Sequence, residues 1–258
     1  MALANYLDEK LKQRSLLLMT HAVVGYPSLE DNWIMLDCMQ EAGVDLVELQ
    51  LPFSEPIADG PMFIKANQSA LDHGLHLKQY FEFAGKAAAK FNFPVLFMGY
   101  YNSVFRMGHE TFCNRLKQAG LHGFIIADLP TEEAGELDKY AQAHELDPIH
   151  IMTPINSEQR MREIATMASG FIYCVARKGV TGRETDLDKS LREYMQRCRK
   201  VTDLPLALGF GIKKPEHVKQ LKGVADIAIV GTACLEVWEQ GNEKKYRKFL
   251  QDLHKATE

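Results

Sequence analysis

The stretch "VELQLPFSEPIADGP", Val47 to Pro61, sets three carboxylates, Glu48, Glu55 and Asp59, in and just beyond an apolar run. Glu48 has Val47, Leu49 and Leu51 as neighbours. A carboxyl deprived of water favours its neutral form unless a cation or hydrogen bonds compensate, and that environment suits a group that gives and takes protons in general acid/base catalysis. The plainer reading is a buried glutamate paired with a cation. Asp59 lies between Ala58 and Gly60 with Pro61 following, and reads first as a turn aspartate bonded to its own backbone. Its loop leaves the same run as Glu48, however, so it can return a second carboxyl to the opposite side of one pocket. Glu55, just before Pro56, reads as a loop or surface residue.

Three glycine-bearing segments invite an anion: "RKGVTGRET", "GFGIKKPE" and "VGTACLE", which follow the sixth, seventh and eighth apolar runs of the chain. Glycine lets backbone N–H groups approach an anion closely, and the start of a helix adds partial positive charge. In the last segment the N–H groups of Gly231 to Ala233 would point outward beside the Thr232 hydroxyl. Gly211 alone is as readily a simple turn residue. Together the three segments predict a phosphate-bearing substrate.

These residues need a scaffold, and the apolar runs supply one. They span Leu16 to Val24, Val44 to Leu51, Phe93 to Met98, Gly123 to Ala127, Pro148 to Met152, Gly170 to Val175, Leu204 to Leu208 and Ile227 to Val230. Runs apolar throughout indicate strands buried on both faces, as in a parallel sheet covered by helices. Between them lie segments of helical spacing, such as Asn32 to Ala42, and Glu110 to Gln118 with its Ala119-Gly120 stop. Eight strand–helix units with no GxGxxG predict one (β/α)8 TIM barrel, a single domain over residues 1–258, instead of an open doubly wound sheet. The amphipathic stretch "MALANYLDEKLKQRS" reads as an extra N-terminal helix. In such a barrel, chemistry gathers at the C-terminal ends of the strands, where all the candidates above fall.

Composition narrows the rest. At 258 residues and 46% hydrophobic the chain can build one sizeable core. A net charge of −4 offers no footprint for nucleic acid or anionic lipid, and the pairs Lys213-Lys214 and Lys244-Lys245 read as solvated helix faces. The five cysteines, at 38, 113, 174, 198 and 234, have no CxxC spacing and read as reduced thiols of a cytoplasmic protein. The histidines form no close metal pair, so no metal site is expected. His21, at the end of an apolar run, reads as a satisfied core histidine. No signal-peptide h-region or membrane span is expected.

In order and spacing, "VELQLPFSEPIADGP", "FMGYYNSVF", "IIADLPTEE", "ASGFIYCVARKGVTG", "LGFGIKKPEHV" and "IVGTA" resemble the tryptophan synthase α subunit family, over roughly positions 16 to 240. The resemblance implies a lyase that cleaves indole-3-glycerol phosphate to indole and glyceraldehyde 3-phosphate in a retro-aldol step. It implies that Glu48 is the catalytic acid/base and that Asp59 holds the indole N–H. Tyr173 would line the indole pocket, Phe210 would pack on the indole, and Thr181 would orient Asp59 when the loop from Arg177 to Leu187 closes. Gly182, Gly211, Gly231 and Thr232 fall on the family's phosphate cradle. No cofactor is implied for this chain; pyridoxal phosphate belongs to a β subunit, which the loops "PFSEPIADGP" and "YYNSVF" would contact in an αββα assembly.

The sequence also departs from the family pattern. Gln50 stands where glycine is usual, Glu55 where aspartate is, and Thr232 where serine is. "AVVGYP" replaces a run such as "ITAGDP", and Asn102-Ser103 replaces Asn-Pro. Gln50 adds bulk beside Glu48 and could alter pocket shape. Two other functions compete with the active lyase: a weakly active or inactive α subunit kept to activate β allosterically, and another phosphate-binding barrel enzyme such as a sugar-phosphate isomerase.

Overall fold

The computed structural model describes residues 3–176, 189–209 and 211–258. Among these, nine parallel strands form one sheet: β1 (Leu17–Val23), β2 (Leu46–Gln50), β3 (Val95–Gly99), β4 (Gly123–Ile126), β5 (Asp147–Ile149), β6 (Ile151–Met152), β7 (Ile172–Val175), β8 (Leu206–Gly209) and β9 (Ile227–Val230). Their order is β5-β4-β3-β2-β1-β9-β8-β7-β6. The two ends of that order, β5 and β6, are consecutive pieces of one extended segment with only His150 between them. The first piece pairs with β4 and the second with β7, so the sheet curls round into the expected TIM barrel. The run read as one strand from Pro148 to Met152 is thus two; Pro148 has no N–H to donate, and the segment divides its bonds between two neighbours.

Strand alternation separates two cores. Val47 and Leu49 of β2 join the outer cluster under the helices, whereas Leu46 joins an inner cluster with Leu17, Met19, Leu96, Ile125 and Ile229. Successive side chains of a strand point to opposite faces. His21, two residues on from Met19, and Glu48 and Gln50, two and four on from Leu46, therefore continue the inward-facing rows. The inner rows are apolar at one end of the barrel and polar at the other.

The apolar end is stoppered. The helix Leu3–Gln13 sends Leu3 and Leu7, both buried, into the inner cluster. It is anchored by Tyr6, whose hydroxyl donates to the Asp45 carbonyl at 2.9 Å, and by Arg14, whose guanidinium pairs with the buried Asp45 carboxylate. Asp45 also accepts the Leu18 N–H at 2.9 Å.

Local signals explain the outer helices. Leu29–Ala42 begins after Ser28, whose hydroxyl accepts the Asp31 N–H, and ends at Gly43 in the left-handed region with φ 78°. Two helices, Pro61–Asp72 and Leu77–Lys90, connect β2 to β3, and the first of them carries side chains to the barrel mouth. The five cysteines are all buried and unpaired.

Leu7→Ala should lower the unfolding free energy by about 2–5 kcal/mol through loss of a buried leucine and the cavity left behind. Lys12→Ala, on the exposed side of the same helix, should change it by less than about 0.5 kcal/mol. Urea unfolding of both variants measures the contrast.

Candidate active site

The C-terminal ends of β1 and β2 start the site. Their register sets His21 beside Glu48 and Val23 beside Gln50. His21 Nδ1 lies 3.0 Å from Glu48 Oε1, and its Nε2 lies 2.8 Å from Gln50 Oε1. Gln50 Nε2 in turn donates to Asp59 Oδ2 at 2.8 Å. Glu48, His21, Gln50 and Asp59 thus form a continuous polar chain. All four are buried, Glu48 to 2% exposure and Asp59 to 4%. The Glu48 contact is close but off-axis, and Oε1 has no hydrogen bond of regular geometry.

The loop after β2 is folded so as to return Asp59 to the mouth. Asn67 Oδ1 accepts the Phe53 N–H at 2.9 Å, while its Nδ2 donates to the Phe63 carbonyl at 2.8 Å. The Asp59 N–H closes a turn onto the Pro56 carbonyl at 3.0 Å. Gly60 then caps the helix Pro61–Asp72, with Pro61 at its first position, where the missing N–H does no harm. Tyr100 completes the clamp: its hydroxyl donates to Asp59 and accepts the Ala58 N–H at 3.2 Å, and its ring stacks on Phe53. Phe63 sits against the His21 ring, centroids 4.4 Å apart.

Burial dominates the electrostatics here, with charge pairing acting against it or with it. For His21, burial disfavours the cation, but Glu48, Asp59 and the Gln50 oxygen together outweigh it and hold the imidazole pKa above its usual value. For Asp59, burial raises the carboxyl pKa, and the donors Gln50 and Tyr100 and the charge of His21 only partly offset it. Tyr173 is pushed well up by burial and by Glu48 and Asp59, so its phenol remains neutral near physiological pH.

Round the same mouth, β8 ends in Gly209, and Gly231 directly follows β9, which pairs with β1. A Cβ on Gly209 would lie 3.6 Å from the Tyr173 hydroxyl, so Tyr173 faces this side of the mouth as well as the carboxylates. Gly211 has φ +79°, a conformation that favours glycine. A Cβ on Gly231 would come within 3.1 Å of Phe63. Gly231 caps the helix Thr232–Gln240, whose first N–H groups have no acceptor within the helix. Among the described residues, no group of three or more His, Cys, Asp or Glu is placed to hold a metal ion.

A family model described as "Tryptophan synthase alpha chain" matches residues 7–258. The chain belongs to the tryptophan synthase alpha chain family. It is 47% identical to the tryptophan synthase alpha chain of Desulforapulum autotrophicum, over 96% of this chain and 98% of that one. It is 48% identical to that of Syntrophotalea carbinolica, over 95% and 96%. A solved structure of Mycobacterium tuberculosis tryptophan synthase superposes with a TM-score of 0.92 at 26% identity, covering 100% of this chain and 99% of that one. A chain of the tryptophan synthase a2b2 complex from Pyrococcus furiosus does so with a TM-score of 0.85 at 27% identity, covering 92% and 97%.

Of the residues that the resemblance to this family singles out, Glu48, Asp59 and Tyr173 meet at one mouth, and Gly211, Gly231 and Thr232 stand at the ends of β8 and β9. Thr181, Gly182 and Phe210 lie outside the described residues, as does the loop from Arg177 to Leu187. Glu55 is exposed. Sequence reasoning missed three members of the site: His21, Tyr100 and Asn67. His21 is indeed buried and partnered, but its partner is Glu48. Its offset of two and four residues from Met19 and Leu17 was the available signal.

Asp59 has a folded-state pKa raised above its ordinary 3.8, so the unfolded chain releases this proton first. Asp59 therefore lowers stability as pH rises from about 3.8 through its folded pKa. Asp59→Asn removes that penalty. In urea melts across the pH range, its stability relative to the parent should climb from about pH 3.8 and then level off.

Proposed function

We propose that the chain is the α subunit of a tryptophan synthase and cleaves indole-3-glycerol phosphate to indole and glyceraldehyde 3-phosphate. The observation that carries this reading is the pair of buried carboxyls, Glu48 and Asp59, held at one barrel mouth with Tyr173 between them and Gly209 at the end of β8. Glu48 gives a proton to indole C3 while Asp59 holds the ring N–H and balances the positive charge that develops there. Glu48 then takes the proton of the glycerol hydroxyl as the carbon–carbon bond breaks and the aldehyde forms. One proton is given and one taken, so the carboxyl ends as it began.

Tyr173 and Phe210 would flank the indole, and Thr181 would orient Asp59. Gly182, Gly211, Gly231 and Thr232 would receive the phosphate on backbone N–H groups and a hydroxyl; the helix that starts at Thr232 supports this. Closing the loop from Arg177 to Leu187 would exclude water from the reaction.

The partner is a β subunit, in an αββα assembly that receives the indole. Ile57 on the loop after β2 and Phe105 on the helix Tyr101–Met107 after β3, 72% and 66% exposed, support docking there. Pyridoxal phosphate is the partner's cofactor in this family, and this chain's own chemistry needs none. A cytoplasmic location fits, and among the described residues no helix is long and apolar enough to cross a membrane.

Glu48→Gln and Asp59→Asn should each slow indole release from indole-3-glycerol phosphate by about 10²–10⁴-fold, with or without β. Parent-like turnover in both variants would remove the acid/base assignment. Indole formed by the parent chain neither alone nor with β would remove the lyase reading itself.

A further inference from the structure

We infer that His21 and Gln50 are positioning residues that hold one proton at the His21–Glu48 contact and tie it to Asp59, so that the two carboxyls act as one linked unit. This rests on the reading of Glu48 as the acid/base.

The argument begins with the Gln50 amide. An ionised carboxylate only accepts hydrogen bonds, so the Gln50 –NH2 must face Asp59 and its oxygen must face His21. An oxygen there requires a proton on His21 Nε2. That fixes the other nitrogen, Nδ1, as the one that deals with Glu48 Oε1 at 3.0 Å. Both ends of this contact can hold a proton. With one proton present, the pair is imidazolium beside carboxylate or imidazole beside carboxylic acid, and the two forms differ in which side of the 3.0 Å contact carries it.

Two places for one proton bind it more firmly than one place does, because the affinities add. Glu48, Asp59 and the Gln50 oxygen raise the His21 pKa, so the pair keeps its proton to higher pH than an ordinary imidazole does. The cleavage leaves this count unchanged, since Glu48 gives one proton to carbon and takes one from the hydroxyl.

The groups acting on His21 are Glu48 and Gln50 of β2 and Asp59 of the following loop; Phe63 of the helix Pro61–Asp72 lies against its ring, and the Cys234 thiol bonds its backbone. Asn67 and Tyr173 reach the set through Gln50 and through the two carboxyls. Tyr100 reaches the set through Asp59. The tyrosines and the thiol stay neutral near pH 7, because burial pushes each of them up. Among the described groups acting on Asp59, the positive charge is that of His21.

The test is made on the full chain. In the parent protein, 15N NMR should show His21 Nε2 protonated throughout about pH 6–8, with Nδ1 alone titrating. In His21→Gln, which keeps a polar side chain but cannot titrate, the alkaline limb of the kcat profile for indole release should move down by about one pH unit or more. KM should change less than about threefold. Gln50→Met should free the tautomer, so that His21 Nδ1–H becomes populated. A neutral Nδ1–H form dominant in the parent protein would overturn the proposal, as would an unmoved alkaline limb in a folded His21→Gln variant. The spectrum of the parent protein decides the proton assignment even if a variant fails to fold. Failure of the parent chain to release indole would strike the lyase reading and leave that spectrum to judge the pair.

Discussion

A carboxyl withdrawn from water and an imidazole set 3.0 Å away from it are the contact on which the rest of this mouth depends. Taking an ionised carboxyl out of water costs several kcal/mol unless a charge or hydrogen bonds compensate. The barrel forces that situation on Glu48, because alternation along β2 leaves it no face but the interior. Neighbouring β1 supplies the compensation in register, at His21. The apolar layers beneath exclude water and keep the interaction strong. A polar pair of this kind survives only because a closed sheet has one wet end.

The second consequence is geometric. Asp59 is not on a strand, and a loop would normally leave its position loose. Here Asn67 holds the start of the loop, Tyr100 and Gln50 hold the carboxyl, and Pro61 starts a helix directly after it. The additional helix between β2 and β3 therefore serves the site. Its Phe63 touches the His21 ring and crowds the Cα of Gly231, so one phenyl ring joins the carboxylate side of the mouth to the glycine side. Any residue larger than glycine at 231 would push on that ring and, through it, on His21.

Much of this was legible in the chain itself, for identifiable reasons. Strands buried on both faces leave unbroken apolar runs, and all eight runs became barrel strands; only the run around Pro148 divided, since its pairing partners change at His150. Glu48 was visible because a carboxylate in such a run contradicts its neighbours. Asp59 and Tyr173 carry no such contradiction and were legible mainly through family resemblance. His21 escaped because burial of a histidine is unremarkable in sequence, and its role depends on a partner 27 residues away that only strand register reveals. Gln50 was seen as a departure from the family pattern, but its bulk is better described as a bridge: its amide spans the gap between His21 and Asp59.

The helix that seals the lower end of the barrel has a consequence for traffic. With Leu3 and Leu7 seated in the inner cluster and Arg14 bound to Asp45 behind them, the interior is a cup, not a conduit. Substrate and both products of the proposed reaction would share one rim. In the proposed reaction, an aldehyde released there would cross the doorway through which the next phosphate ester comes, and indole would leave over the edge that bears Ile57. The sequence of departures is thus decided by what covers the rim, and a partner seated on it becomes part of the enzyme's exit.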